Sequence, residues 1–542
     1  MIAACAVASI SAAAWSWQNH AMLNYGDAVA HLHIARRVLD SHRPGLTQLG
    51  SVWLPLPHLL MLPFVQVYAF WANGIAGLIP SALAYIASCA GLYRLARRWL
   101  KPSAAALALA FFAINPNLLY LQTTAMTEPL FLCEMIWTSV WLVEWESSLA
   151  SHPARTRKLQ ACIALVLVAA VYTRYDGWIL ALLAWGCMGS LLARRGMLRL
   201  ASFWVASAFI VAAPLAWLLY NATCFGDWLF FMRGPYSAKA IEMRTATPGF
   251  PPHPGWHNPW VSELFFLKAA KMDAAAAGWG NAFMALSLFG TASAWLIARR
   301  RAFAWALLLW LPVPFYAYSI AYGSVPIFLP PWWPHSWYNT RYGMELLPAL
   351  ALGFGFFAQF VISAMREFKT RVSRSHWPQY ATALLCVLIV LNAAQMVRER
   401  PLVYVEGTKN IDARRAYEIE IPPVVHSLLA DRPDGPVLMD TSIYPEIVAL
   451  IGIPLRQTIN ESDKEFYDAA LAAPAAHAAV VVTFAGNAID AAVHAHPEGL
   501  REVQRFTTSG QPAATIYVSD TPRTSRLNNR AARVVASLKE TP

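Results

Sequence analysis

The chain has 542 residues, 57% of them hydrophobic and only 13% charged, where an ordinary soluble domain carries about 25% charged residues; a plain soluble globular protein is excluded and a membrane is indicated. The net charge of +11 calls for no nucleic-acid partner, because the basic residues are neither spread along one soluble surface nor interleaved with exposed aromatics. Seven cysteines with no CxxC pair, all but Cys224 inside apolar stretches, imply neither a disulfide framework nor a zinc site.

Apolar runs of bilayer length, about 17 to 25 residues each, predict eleven spans near 1–17, 74–93, 103–121, 127–146, 159–173, 177–193, 198–220, 276–297, 303–322, 344–365 and 378–397. The first is read as a span and not a signal peptide, since it lacks a basic n-region and no clear cleavage site follows. The stretch Leu159 to Ala193 would make a helix of about 52 Å, against about 30 Å of hydrocarbon, so it must fold back. Arg174-Tyr175-Asp176-Gly177 lies at its middle. Every second connection is short and basic: 94–101, 155–158, 194–199, 299–301 and 366–374 together hold 17 Lys and Arg, with Glu367 the only acid. These are cytoplasmic loops. Segments 18–73, 122–126, 174–176, 221–275, 323–343 and everything after 398 then lie outside.

From 399 the charged residues return and apolar runs shrink to strand length. Residues 436–440, 479–483 and 514–518 read as buried strands, with helical patterns between the first two. The expected architecture is an all-α polytopic membrane domain over 1–398, a small soluble α/β domain over 399–520, and a basic, polar, disordered tail over 521–542.

Four blocks on the outer side carry chemically capable residues. Asp27 follows the first span and opens an amphipathic segment, with Ala30, Ile34 and Val38 at spacing four, expected to lie along the membrane surface; His31 is on the same stretch. An Asp there can also simply cap a helix. Glu128, in Thr127-Glu128-Pro129-Leu130, opens the fourth span, where an acid complements the helix dipole, yet carboxylates at membrane level tend to mark sites. Arg174 and Asp176 sit at the hairpin tip, where the guanidinium can pair with Asp176 or meet a phosphate. His335, Asn339, Arg341 and Tyr342 stand among large aromatics that also suit an interfacial belt. The loop 221–275 adds Lys239 and a proline-rich run, long enough for a lid. No P-loop glycine pattern appears, which argues against a nucleotide-driven pump. An activated sugar used outside the cytoplasm would more plausibly arrive on a lipid.

The order of Gly26-Asp27 with its following His-Ile-Ala-Arg stretch, Thr127-Glu128-Pro129-Leu130, Thr173-Arg174-Tyr175-Asp176-Gly177 and Arg341-Tyr342, over about residues 20–350, resembles the GT-C superfamily. The likeness is to bacterial relatives of protein O-mannosyltransferases and of the transferases that add aminoarabinose to lipid A. The resemblance implies an inverting glycosyltransferase, hexosyl or pentosyl, that moves a sugar from a polyprenyl phosphate carrier to a lipid, glycan or protein acceptor outside the cytoplasm. It implies Asp27 as catalytic base and Glu128 beside it, either orienting the sugar or ligating a divalent ion with Asp27 if one binds. Arg174 and Arg341 would receive the donor phosphate, with His31, Asp176, His335, Asn339, Tyr342 and Lys239 as substrate contacts. Many relatives carry a second acid after the first; here that position is Ala28, which departs from a two-carboxylate or metal-bound site. A transporter or flippase is the alternative. It fits less well, since the charges gather at one face and no inverted repeat with paired broken helices is seen. A scaffold presenting the outer domain would leave Asp27 and Glu128 without purpose. The alanine-rich composition suggests a bacterial inner membrane with the C-terminal domain in the periplasm.

Overall fold

The computed structural model describes residues 1–150, 152–245, 252–298, 301–371 and 376–520, and the expected tail 521–542 lies outside them. The chain divides into two compact units. The first comprises Met1–Asn24, Gly50–Met61 and Gly74–Lys409, the second Tyr25–Leu49, Leu62–Asn73 and Asn410–Pro542.

The first unit is helical. Its main helices are α1 (Ile2–Gln18), then after α2 of the second unit (Gly26–Arg37), α3 (Ile75–Ala96), α4 (Pro102–Ala113), α5 (Glu128–Ser148), α6 (Pro153–Thr173), α7 (Asp176–Arg194) and α8 (Ala201–Phe225). There follow α9 (Pro259–Ala274), α10 (Gly280–Ala298), α11 (Pro312–Tyr322), α12 (Leu347–Arg371), α13 (Trp377–Glu399) and α14 (Leu402–Asp412), with 3-10 segments at Arg301–Trp310 and Thr340–Leu346. Among the described residues, seven helical stretches are long and apolar enough to cross a bilayer: Ile75–Ala96, Pro153–Thr173, Asp176–Arg194, Ala201–Phe225, Phe303–Tyr322, Thr340–Glu367 and Trp377–Asp412. The chain is therefore a multi-pass helical membrane protein.

Helix α5 is not among these seven. It carries Glu128, Glu134, Glu144 and Glu146, all buried, and each carboxylate has a partner. Glu144 takes Arg94 at 2.7 Å, Arg155 at 3.4 Å and also Arg98. Glu146 takes Arg195 at 2.9 Å and the Trp305 indole N–H at 2.7 Å, and Thr173 Oγ1 donates to Glu134 at 2.7 Å. A helix enclosed by other helices can hold charge that a lipid-facing one would not. Small residues let other helices meet at their backbones: a Cβ on Gly290 of α10 would stand 1.9 Å from the Gly353 carbonyl oxygen of α12.

The second unit holds a five-stranded sheet of order β2-β1-β3-β5-β4, built from β1 (Val437–Met439), β2 (Thr458–Ile459), β3 (Val480–Phe484), β4 (Leu500–Phe506) and β5 (Ala514–Ser519). β1 runs parallel to β2 and β3, while β5 is antiparallel to β3 and β4. The helix α15 (Arg415–Leu429) precedes the sheet. Leu438, Val481 and Ile489 form part of a core against Ile459 and Val493.

The compact units part at 409/410, and the sheet-bearing unit takes in most of the first outer loop. On helix α2, Ala28, Val29 and the run His31–Ala35 are buried. Polar residues around it explain this. Arg36 pairs with Asp40 at 2.7 Å and donates to Val65 O at 2.5 Å, Asp40 accepts from Leu455 N at 3.1 Å, and Tyr68 donates to Ala449 O at 2.8 Å.

Candidate active site

Six of the residues singled out in the sequence meet in the first unit. Pro129 in the first turn of α5 leaves Glu128 at a helix N-terminus, fully buried. One of its oxygens, Oε1, faces both guanidinium groups: Arg341 Nε at 3.1 Å and Arg174 Nη1 at 3.4 Å. Its Oε2 has no hydrogen-bond partner among the described residues. Arg174 caps α6 in extended conformation, which turns the chain back into α7 and brings Asp176 within 3.2 Å of its Nε. Arg174 also reaches Glu345 at 3.0 Å, donates to Thr127 Oγ1 at 3.1 Å and donates to Tyr316 Oη at 2.7 Å. Tyr316 in turn donates to Glu345 Oε1 at 2.7 Å.

Arg341 extends the network to Glu406 at 3.0 Å. Glu406 is held by the amides of Asn339 and Thr340 at 2.9 and 2.8 Å and by the Thr340 hydroxyl; Asn339 supplies its amide from the left-handed region, φ 55°. Tyr342 lies beneath both cations, 5.1 Å from Arg174 and 5.0 Å from Arg341, a cation–π geometry. Two guanidinium groups thus face four carboxylates, Glu128, Asp176, Glu345 and Glu406. The Arg174 and Arg341 side chains are 14% and 5% exposed and paired with acids, and together they hold Glu128 through Oε1.

The remaining expected residues lie elsewhere. His335 is exposed with Nδ1 against Pro330 O at 3.0 Å, and Lys239 stands exposed on the helix Ala238–Thr245; neither joins the ion pairs around Glu128. Asp27 and His31 belong to α2 of the second unit, Asp27 in its first turn and His31 buried. Sequence reasoning missed Tyr316, Glu345 and Glu406, and also Asp273 of α9, whose two carboxyl oxygens are buried without a hydrogen-bond partner among the described residues. Burial, and then Glu406, push the Asp273 carboxyl well above the usual carboxylate range. An acid flanked by polar residues beside an apolar run is visible in a sequence; Glu345, inside such a run, is not.

Beside the network runs an apolar groove of about 830 Å³, lined by Leu264, Leu267, Leu308 and Leu311 together with Lys268 and Lys271. The two sites share helix α9, which gives Leu264, Leu267, Lys268 and Lys271 to the groove while its Phe266 stacks on Tyr316 at 4.8 Å. Lys268 lies over the Trp332 ring at 5.7 Å, and Lys271 donates to Asn281 Oδ1 at 2.8 Å. Among the described residues no three His, Cys, Asp or Glu side chains are grouped to hold a metal ion.

No protein-family model and no curated protein matches the chain. Solved structures do. ArnT from Cupriavidus metallidurans bound to undecaprenyl phosphate is 13% identical, with a TM-score of 0.56 over 95% of this chain and 98% of that one. Its apo state gives 12%, 0.55, 95% and 97%. The Archaeoglobus fulgidus oligosaccharyltransferase in complex with Zn and sulfate gives 12% and 0.52, covering 96% of this chain and 74% of that one. Over nearly its whole length the chain carries the fold of these GT-C glycosyltransferases, the fold that the order of its Asp27, Glu128, Arg174 and Arg341 blocks leads one to expect.

Proposed function

We propose that the chain is an inverting glycosyltransferase that moves a sugar from a polyprenyl-phosphate-linked donor to a lipid, glycan or protein acceptor on the non-cytoplasmic side of a bacterial inner membrane. The observation that carries this reading is the agreement of fold along 95% of the chain with ArnT, which has been seen with undecaprenyl phosphate bound. The groove beside α9 supports it, since leucine walls suit a prenyl chain and two ammonium groups suit the phosphate at its head. In this reading eleven helices cross the bilayer and the sheet-bearing unit lies outside.

The chemistry asks for three things. The acceptor hydroxyl or amine must lose a proton as it attacks the anomeric carbon, and Asp27 is the base assigned to take it. The bond from that carbon to the carrier phosphate breaks with inversion, and the phosphate leaves carrying the electron pair. Lys268 and Lys271 supply positive charge for it. The sugar must be held in line, and Glu128, immobilised through Oε1 by Arg174 and Arg341, keeps Oε2 to accept from a sugar hydroxyl.

Purified protein incubated with radiolabelled polyprenyl-phosphate sugars and a cell-envelope extract should move label onto an acceptor. Asp27→Asn should abolish transfer while the protein still inserts in the membrane. Label that only crosses a vesicle wall unmodified would instead favour a transporter, and full transfer by Asp27→Asn would remove that residue from the role.

A further inference from the structure

The turn that carries Asp27 is gripped from within its own compact unit. The Gly26 amide donates to Asn410 Oδ1 at 2.8 Å. The Arg414 guanidinium lies so close to Gly26 that a Cβ there would stand 2.6 Å from its Nη1, and 3.3 Å from Asn410 Oδ1. An arginine tip normally yields to such an intrusion, but this one is fixed. Arg414 is buried, its Nε 3.2 Å from Glu418 Oε1 and its Nη2 3.6 Å from Glu446 Oε2. Moving it would strip buried acids of their cation, which is strongly unfavourable. Further along the same loop Asp40, 3% exposed, accepts from Leu455 N at 3.1 Å and Arg456 Nη1 at 3.2 Å, and His42 meets Thr458 O at 2.9 Å.

A bond set of this kind could serve only to glue a loop to a domain. Two features go beyond glue. One of these contacts falls on the residue next to Asp27, and position 26 has room there for no side chain at all. We propose that Asn410 and Arg414 are positioning residues for Asp27: by clamping the first turn of α2 at Gly26, they make the C-terminal half of the chain set the place and angle of the base. This rests on the reading of Asp27 as the base. The physical consequence is large, since a displacement of about 1 Å in a reacting group can lower a rate about 100-fold.

The test is steady-state transfer by the full-length protein, with whichever labelled polyprenyl-phosphate sugar proves to be its donor. Asn410→Ala and Arg414→Ala should each lower kcat about 10- to 100-fold with the donor KM unchanged, and Arg414→Lys should recover part of that loss. Gly26→Ala, which pushes Arg414 aside, should reproduce the defect, and Gly26→Ala with Arg414→Ala should be no worse than either alone, as coupled neighbours are. Arg43→Ala breaks an ion pair to Glu465 in the same unit whose side chains are 65% and 71% exposed, and should keep the parent kcat. Parent kcat in both Gly26→Ala and Arg414→Ala, beside an inactive Asp27→Asn, would overturn the clamp and leave the base assignment standing. Losses that simply multiply in the double variant would do the same. If Arg414→Ala does not fold, Gly26→Ala and Asn410→Ala decide alone.

Discussion

Arg341 ties two buried carboxylates, Glu128 and Glu406, into one network. Replacing it by alanine leaves Glu406 without its guanidinium and Glu128 with Arg174 alone, and breaking a buried pair in this way costs about 3–5 kcal/mol. Arg341→Ala should therefore lower the thermal unfolding temperature in detergent markedly, and Arg341→Gln/Glu128→Gln, which removes both charges, should recover part of the loss. A double variant no more stable than the single would mean that the pair contributes little. Glu128, Arg174, Asp176 and Arg341 were legible in the sequence because each interrupts or borders an apolar run, where a charge needs a reason. Glu345 and Glu406 were not: only the fold brings them to the two guanidinium groups, Glu406 from a stretch that composition alone assigns to the soluble domain.

At the level of elements, legibility followed burial. The buried strands β1, β3 and β5 coincide with apolar runs at 436–440, 479–483 and 514–518, whereas β4, with Arg501 to Arg505 exposed, reads as polar coil. Helix α2 was legible from its amphipathic spacing, which says nothing about what covers its second face. The carboxyls packed beside α15 give this unit a pH dependence. Burial first, then the neighbouring Glu418, push the Glu446 carboxyl from 4.5 up to about 8, so between those values the folded unit holds a proton that the unfolded chain releases. That proton stabilises the fold fully below about pH 4.5, and the stabilisation declines as pH rises to about 8. Hydrogen exchange at the β3 amides should accordingly show protection, corrected for intrinsic exchange, falling across this window. Glu446→Gln, fixed in the neutral form, should flatten the profile, and an unchanged slope would assign it to other groups.

For the whole molecule the decisive quantity is the parity of crossings. Between residues 197 and 258 the chain crosses once if α8 spans, and between 258 and 409 four times if α10, the segment Phe303–Tyr322, α12 and α13 all span. The weakest of these is the third-last crossing, whose N-terminal half is a 10-residue 3-10 segment followed by the 11-residue α11. The unusual geometry favours spanning: at a rise of about 2.0 Å per 3-10 residue and 1.5 Å per α-helical residue, the two parts reach about 36 Å, enough for about 30 Å of hydrocarbon. An α-helix of the same 21 residues would only just suffice. Basic loops at 194–199 and 366–374 on either side of the outer segments fix the same orientation. Fusions after residue 197 should thus give fluorescent protein and inactive alkaline phosphatase, and fusions after 258 and 409 the reverse. A phosphatase that is active at 258 but inactive at 409 would mean that one of the four helices does not cross. It would also leave the unit bearing Asp27 on the cytoplasmic side, away from a lipid-linked donor presented outside.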